Sequence, residues 1–107
     1  MTTPVTCMCV YQVKPGSEDE FASLVGTHWP TLLELELVTG DKPLIYRGKN
    51  EDGSSFFVEI FTWRDEAATD SAHELAEVMA IWEPMGKLCE DRDGRPAMEF
   101  PTVEKIA

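Results

Sequence analysis

Residues 56–73 read FFVEIFTWRDEAATDSAH, an apolar run holding a single carboxylate that passes into a segment rich in alanine and acid. Alternation along Ser55–Trp63 sends Phe56, Val58 and Ile60 to one side of a β-strand and Phe57, Glu59, Phe61 and Trp63 to the other. Asp65 suits a helix N-cap, and Ala68, Ala72, Leu75, Met79 and Trp82 then recur at helical spacing. The stretch is therefore the junction between a strand apolar on both sides and an amphipathic helix. Pro84 is expected to break that helix before a last turn ending near Glu90, with Asp93-Gly94 as the exit turn.

Upstream, Val5 to Val13 is a strand closed by the turn residues Lys14-Pro15-Gly16, with Met8 and Val10 on one side and Cys7, Cys9 and Tyr11 on the other. Ser17 and Glu20 have the spacing of a capping box, and Phe21, Leu24, Val25, His28, Leu32 and Leu35 mark a helix over roughly 18–37. Pro30 predicts a kink or restart near Trp29. Leu44 to Gly48 is a short strand, joined through the Asn50–Gly53 turn to Ser55–Trp63 in an antiparallel pair. Ala97 to Val103 fits an edge strand, because a central strand does not tolerate Pro101.

The order βαββαβ repeats itself weakly, with Trp29-Pro30 in the first half answered by Trp82-Glu83-Pro84 in the second. It predicts an α+β, ferredoxin-like domain over residues 1–107: a four-stranded antiparallel sheet with two helices on one face. Those helices cover one face, and the other would be an apolar patch larger than monomers usually expose. A second copy of the chain is the expected cover, giving a C2 homodimer with a lumen between the sheets. Glu59 and Trp63 are expected to look into that lumen or a pocket beside it.

With 107 residues and a formal charge of −11, the chain lacks the Lys and Arg clusters that nucleic acid or an anionic membrane would require. No apolar run approaches the ~20 residues of a membrane span, and the N-terminus has no basic leader, so a cytoplasmic location is expected. Cys7, Cys9 and Cys89 are read as reduced core thiols. Cys7-x-Cys9 with two histidines elsewhere matches none of the usual zinc spacings, so no metal is expected. Gly16, Gly26 and Gly40 form no dinucleotide fingerprint, and no nucleotide or flavin cofactor is indicated.

A strand ending in Trp63, followed by a capped helix carrying Ala67-Ala68 and Ala72-His73, is similar to the antibiotic biosynthesis monooxygenase group of the dimeric α/β-barrel superfamily. The resemblance implies a ferredoxin-like dimer whose sheets form a barrel-like shell, with a ligand cavity in each subunit. It implies cofactor-free oxygenases of polycyclic phenols, haem-degrading enzymes, polyketide cyclases or proteins without established activity. The haem-degrading branch places an iron-ligating histidine on the second helix; Met79 to Trp82 holds none, which argues against haem.

Three residues stand out as candidates for proton transfer. Glu59, desolvated beside Phe57 and Phe61, is either a general base or the acidic half of an ion pair with Arg47 on the neighbouring strand. His73 falls at the edge of its helical stripe, at a cavity rim or in solvent. His28 lies on the apolar stripe of the first helix, as a hydrogen-bonded core residue or one re-aimed by the kink. Arg47 or Tyr46 would steady negative charge, and Tyr11, Trp29, Phe57, Phe61, Trp63 and Trp82 would line a site for a small apolar or aromatic ligand. The function expected is that of a small-molecule-binding protein, as a cofactor-independent monooxygenase of an aromatic or polyketide-like substrate. The alternatives are a non-catalytic binding or stress-related protein on the same fold, or a polyketide cyclase or isomerase.

Overall fold

The pairing of β1 (Val5–Gln12) with β3 (Ser55–Trp63) decides which side chains share a face. The two run antiparallel with Cys7 opposite Phe61, Cys9 opposite Glu59 and Tyr11 opposite Phe57. The computed structural model describes residues 3–107. β2 (Leu44–Lys49) flanks β3, while β4 (Met98–Glu99) and β5 (Thr102–Val103) both lie against β1, giving the antiparallel order β2-β3-β1-β4 with β5 beside β4 on the same edge. This is the ferredoxin-like arrangement read from the sequence. The Asn50–Gly53 turn forms as expected, with Gly53 at φ +86° and the Asn50 N–H bonded to the Ser54 carbonyl.

The last strand is split by one missing hydrogen bond. Val10 faces Glu99 and Thr6 faces Val103, so the register is the same on both sides of the break and Met8 stands opposite Pro101. The Met8 N–H bonds the Pro101 carbonyl at 2.9 Å. Proline has no N–H to return the bond, so the ladder lapses for one rung and resumes.

Both predicted long helices are pairs of shorter ones. The first divides into α1 (Glu18–Val25) and α2 (His28–Glu34), with the break at Gly26-Thr27 and the restart at His28, next to the expected Trp29. Pro30 lies in the first turn of α2, where the backbone N–H it lacks would have no helical partner anyway. The second divides into α3 (Glu66–His73) and α4 (Ala76–Lys87) at Glu74-Leu75, and Pro84 is accommodated inside α4 instead of breaking it. The Ser17 capping box does not form, since the Ser17 side chain makes no cap bond; the Glu18 carboxylate instead accepts from the Gly16 N–H at 2.8 Å. Asp65 does cap α3, accepting from the Ala68 N–H at 2.9 Å.

The assignment of sheet faces is the main correction. Phe57, Glu59, Phe61 and Trp63 lie under the helices and not toward a second sheet, packed with Phe21, Leu32, Ala68, Ala72, Val78 and Met85 in the core. Each fully buried ring there contributes on the order of 2–3 kcal/mol. The uncovered face carries half-buried Met8, Phe56, Val58 and Ile60 with exposed Leu44 and Tyr46. On that face the Phe56 ring lies over Gly48, where any Cβ would collide with it. Among the described residues, no helix is long and apolar enough to cross a membrane.

Replacing Asp65 by alanine removes the side-chain cap of α3, together with an exposed contact to Arg64. The expected cost is about 1 kcal/mol, read as a lower urea midpoint with an unchanged slope.

Candidate active site

Glu59 sits in the middle of β3 with no exposed surface, where an uncompensated carboxylate would be strongly unfavourable. Its Oε1 has two partners. The Tyr11 hydroxyl, diagonal to it across the β1–β3 pair, donates at 2.8 Å, and His28 Nδ1 lies at 2.8 Å. His28 is the first residue of α2 and is buried in line with Phe21, Val25 and Leu32, on the face toward the sheet. Arg47, the expected ion-pair partner, is not used. It lies over the Phe57 ring at 5.0 Å and 3.7 Å from Asp19 at the protein surface.

The far side of the imidazole fixes its proton. The Trp82 indole Nε1 is 2.7 Å from His28 Nε2, and an indole nitrogen only donates. Nε2 therefore accepts, the neutral ring carries its proton on Nδ1, and that proton points at Glu59. A continuous line follows: Trp82 N–H to His28, His28 N–H to Glu59, with the Tyr11 O–H entering at the same oxygen. Burial, and then the Glu59 charge, push the Tyr11 hydroxyl well above the ordinary phenol range, so Tyr11 stays a donor. Phe61 meets His28 edge-on at 5.5 Å and holds the ring plane. Glu59 Oε2 and the Trp29 indole N–H are buried with no partner among the described residues.

Beside this line is a cavity of about 320 Å³, at the small end of ligand sites. Its floor is Cys7, Cys9, Phe61 and Trp63 of the sheet. Met98, Phe100 and Thr102 of the broken edge form one wall, and His28, Thr69, His73 and Trp82 of the helices form the roof. The space thus lies between sheet and helices within one chain, not between two sheets. Phe100, 55% exposed, stands at its rim.

Of the predicted site residues, the fold gathers His28, Phe61, Trp63, His73 and Trp82 around this space. His73 is exposed at the rim and meets Trp82 edge-on, ring centroids 4.8 Å apart. Glu59 and Tyr11 stand behind His28 rather than in the wall. Phe57 packs on Phe21 at 5.0 Å, away from the cavity. Trp29, Tyr46 and Arg47 do not reach it, and Tyr46 points from the open face, 57% exposed. The sequence reading missed Cys7 and Cys9 as wall residues, and Met98, Phe100 and Thr102, whose period of two on the edge strand was the available signal.

Tyr11→Phe leaves the buried Glu59 oxygen with one donor fewer, at an expected cost of about 1–2 kcal/mol near neutrality. The pH dependence has a definite sign. Because the folded-state value of Tyr11 is raised, its contribution is intact below about pH 10, the ordinary tyrosine value, and is lost as pH rises through the folded value. Urea midpoints at about pH 8 and about pH 11 should therefore converge between wild type and Tyr11→Phe on the alkaline side.

No protein-family profile matches the chain, and no curated protein matches it in sequence. Solved structures do match over nearly the whole length. SnoaB, a cofactor-independent oxygenase from Streptomyces nogalater, aligns at TM-score 0.67 and 15% identity over 97% of this chain and 94% of its own. A structure named as an antibiotic biosynthesis monooxygenase aligns at TM-score 0.70 and 13% identity, covering 96% and 99%. A dimeric ferredoxin-like protein of unknown function from a Jannaschia species aligns at TM-score 0.62 and 16% identity, covering 96% and 100%. Identities this low speak for architecture alone: the chain has the ferredoxin-type fold of the antibiotic biosynthesis monooxygenase structures.

Proposed function

We propose that the protein is a cytoplasmic, cofactor-independent monooxygenase of a small aromatic or polyketide-like substrate, with His28 as its base. The observation that carries this reading is the buried Glu59–His28 pair, whose outer imidazole nitrogen reaches an aromatic-walled cavity. Glu59 is the positioning residue, setting the His28 tautomer and stabilising the imidazolium that forms. A phenol entering the cavity takes the place of the Trp82 N–H at Nε2 and gives its proton to His28. The resulting phenolate supplies the electrons to O2. A carbon–oxygen bond forms, the peroxide takes the proton back from His28, and loss of water from a carbon that still bears hydrogen leaves a carbonyl. Phe61, Trp63 and Trp82 suit a flat ring, and His73 at the rim would contact its outer edge.

A second reading has its own support. The Trp82 bond already occupies the nitrogen on which the base chemistry depends, as in a protein that binds without turnover. Oxygen uptake with a panel of polycyclic phenols separates the two. Turnover should fall about 10²- to 10⁴-fold in His28→Gln, fall in the same direction in Glu59→Gln, and persist or rise in Trp82→Phe. Phenol binding without oxygen uptake in wild type would support the binding reading instead.

The open sheet face supports a homodimer, as named for the Jannaschia structure. The two sheets would then close the barrel through Leu44, Tyr46, Phe56, Val58 and Ile60, leaving each cavity inside its own subunit. Sedimentation at micromolar concentration should show a dimer for wild type and a monomer for Val58→Lys; a monomeric wild type would refute this assembly.

A further inference from the structure

Cys7 and Cys9 project from β1 into the cavity floor, and the proton line described above does not involve them. Their Sγ atoms lie 3.6 Å apart, both thiols are free, and both are shielded from the outside by the surrounding walls. This separation disfavours a direct bond. Residues two apart on a strand have Cα atoms roughly 6.6 Å apart, near the limit of disulfide geometry, and the sulfurs would have to close to about 2.05 Å. β1 is bonded on both edges, to β3 and to the β4–β5 strand, so it resists that contraction.

A single bridging atom fits without movement. Bonds of about 2.3 Å to a tetrahedral centre hold two sulfurs roughly 3.8 Å apart. A four-coordinate metal ion is poorly served, because among the described residues no three His, Cys, Asp or Glu side chains gather to hold one. Two of its positions would face Phe61 and Trp63. An atom that makes three bonds, two to sulfur and one to carbon, is complete with this pair alone, and its organic group enters an aromatic space. The two thiols also differ. Hydrogen bonding from Cys9, and to a lesser degree from Trp63, lowers the Cys7 value despite burial, while Cys9 is pushed up and stays protonated.

We propose that Cys7 and Cys9 form a dithiol site for trivalent arsenicals bearing one organic group, held through both sulfurs with that group among Phe61, Trp63 and Trp82. Two As–S bonds form and two As–O bonds break. The two thiol protons leave with the arsenic-bound oxygen, as one water from an arsine oxide RAsO or two from its hydrate RAs(OH)2, and arsenic is neither oxidised nor reduced. The site does not depend on the base role of His28.

Phenylarsine oxide and the full-length protein test it by intact mass and by alkylation mapping after unfolding. The expected result is one adduct per chain, formed with loss of one water, that blocks Cys7 and Cys9 but leaves Cys89 open. It should survive excess glutathione and reverse with a small dithiol. Cys7→Ser and Cys9→Ser should each weaken capture about 10²- to 10⁴-fold, the gain a second tethered thiol provides, whereas Cys89→Ser should match wild type. Absence of an adduct on folded wild type, an adduct mapped to Cys89, or full retention in either single variant would overturn the assignment. Because the mapping is made on wild type, it decides the matter even if a serine variant fails to fold.

Discussion

A carboxylate placed at the centre of an apolar sheet face must be compensated, and much of this molecule is arranged around that requirement. Glu59 Oε1 draws the Tyr11 hydroxyl from the neighbouring strand and the His28 imidazole from the helix above. Either partner lost would leave buried charge short of a donor, a penalty of the same order as a large part of a small domain's stability. The demand reaches further, because an imidazole held at Nδ1 presents Nε2 outward, and Trp82 answers there. One polar line thereby ties two strands and two helices through the core.

The helices serve the same end. The buried stripe Phe21, Val25, His28 and Leu32 runs through the Gly26-Thr27 break, and it sets the His28 ring on the sheet beside Glu59. The break at Glu74-Leu75 likewise ends α3 on His73 and lets α4 fold back so that His73 and Trp82 meet ring to ring. The cavity lies beside this contact, roofed by His28 of α2, Thr69 and His73 of α3 and Trp82 of α4.

Element order, the Asp65 cap, the Asn50–Gly53 turn and the edge position of Pro101 could all be read from the chain, because each is a local signal. Alternation also grouped Glu59 correctly with Phe61 and Trp63. What alternation does not carry is which group the helices cover. Chain handedness fixes the side on which a crossover lies, but the phase of the pleat relative to that side is set by packing over the whole sheet. Arg47, diagonal to Glu59 across β2 and β3, is the ion-pair partner that local pairing offers, whereas His28, thirty-one residues away, is joined to Glu59 only by the tertiary fold. Pro30 signals the restart, because its missing N–H suits a first helical turn, but it does not specify that the break lies at Gly26-Thr27. Cys7 and Cys9 looked like filling, since a thiol against an empty space and a thiol against a side chain have the same sequence.

The lapse at Pro101 bears on how the interior communicates with solvent. The Met8 carbonyl receives no donor from the strand opposite, so the edge carrying Met98, Phe100 and Thr102 is fastened on either side of a slack rung. Separating that edge costs fewer hydrogen bonds than separating any equal length of β1 from β3, whose ladder has no proline. The wall that borders the cavity is therefore the more weakly fastened side of β1, where local loosening opens the interior while the Glu59 line stays closed.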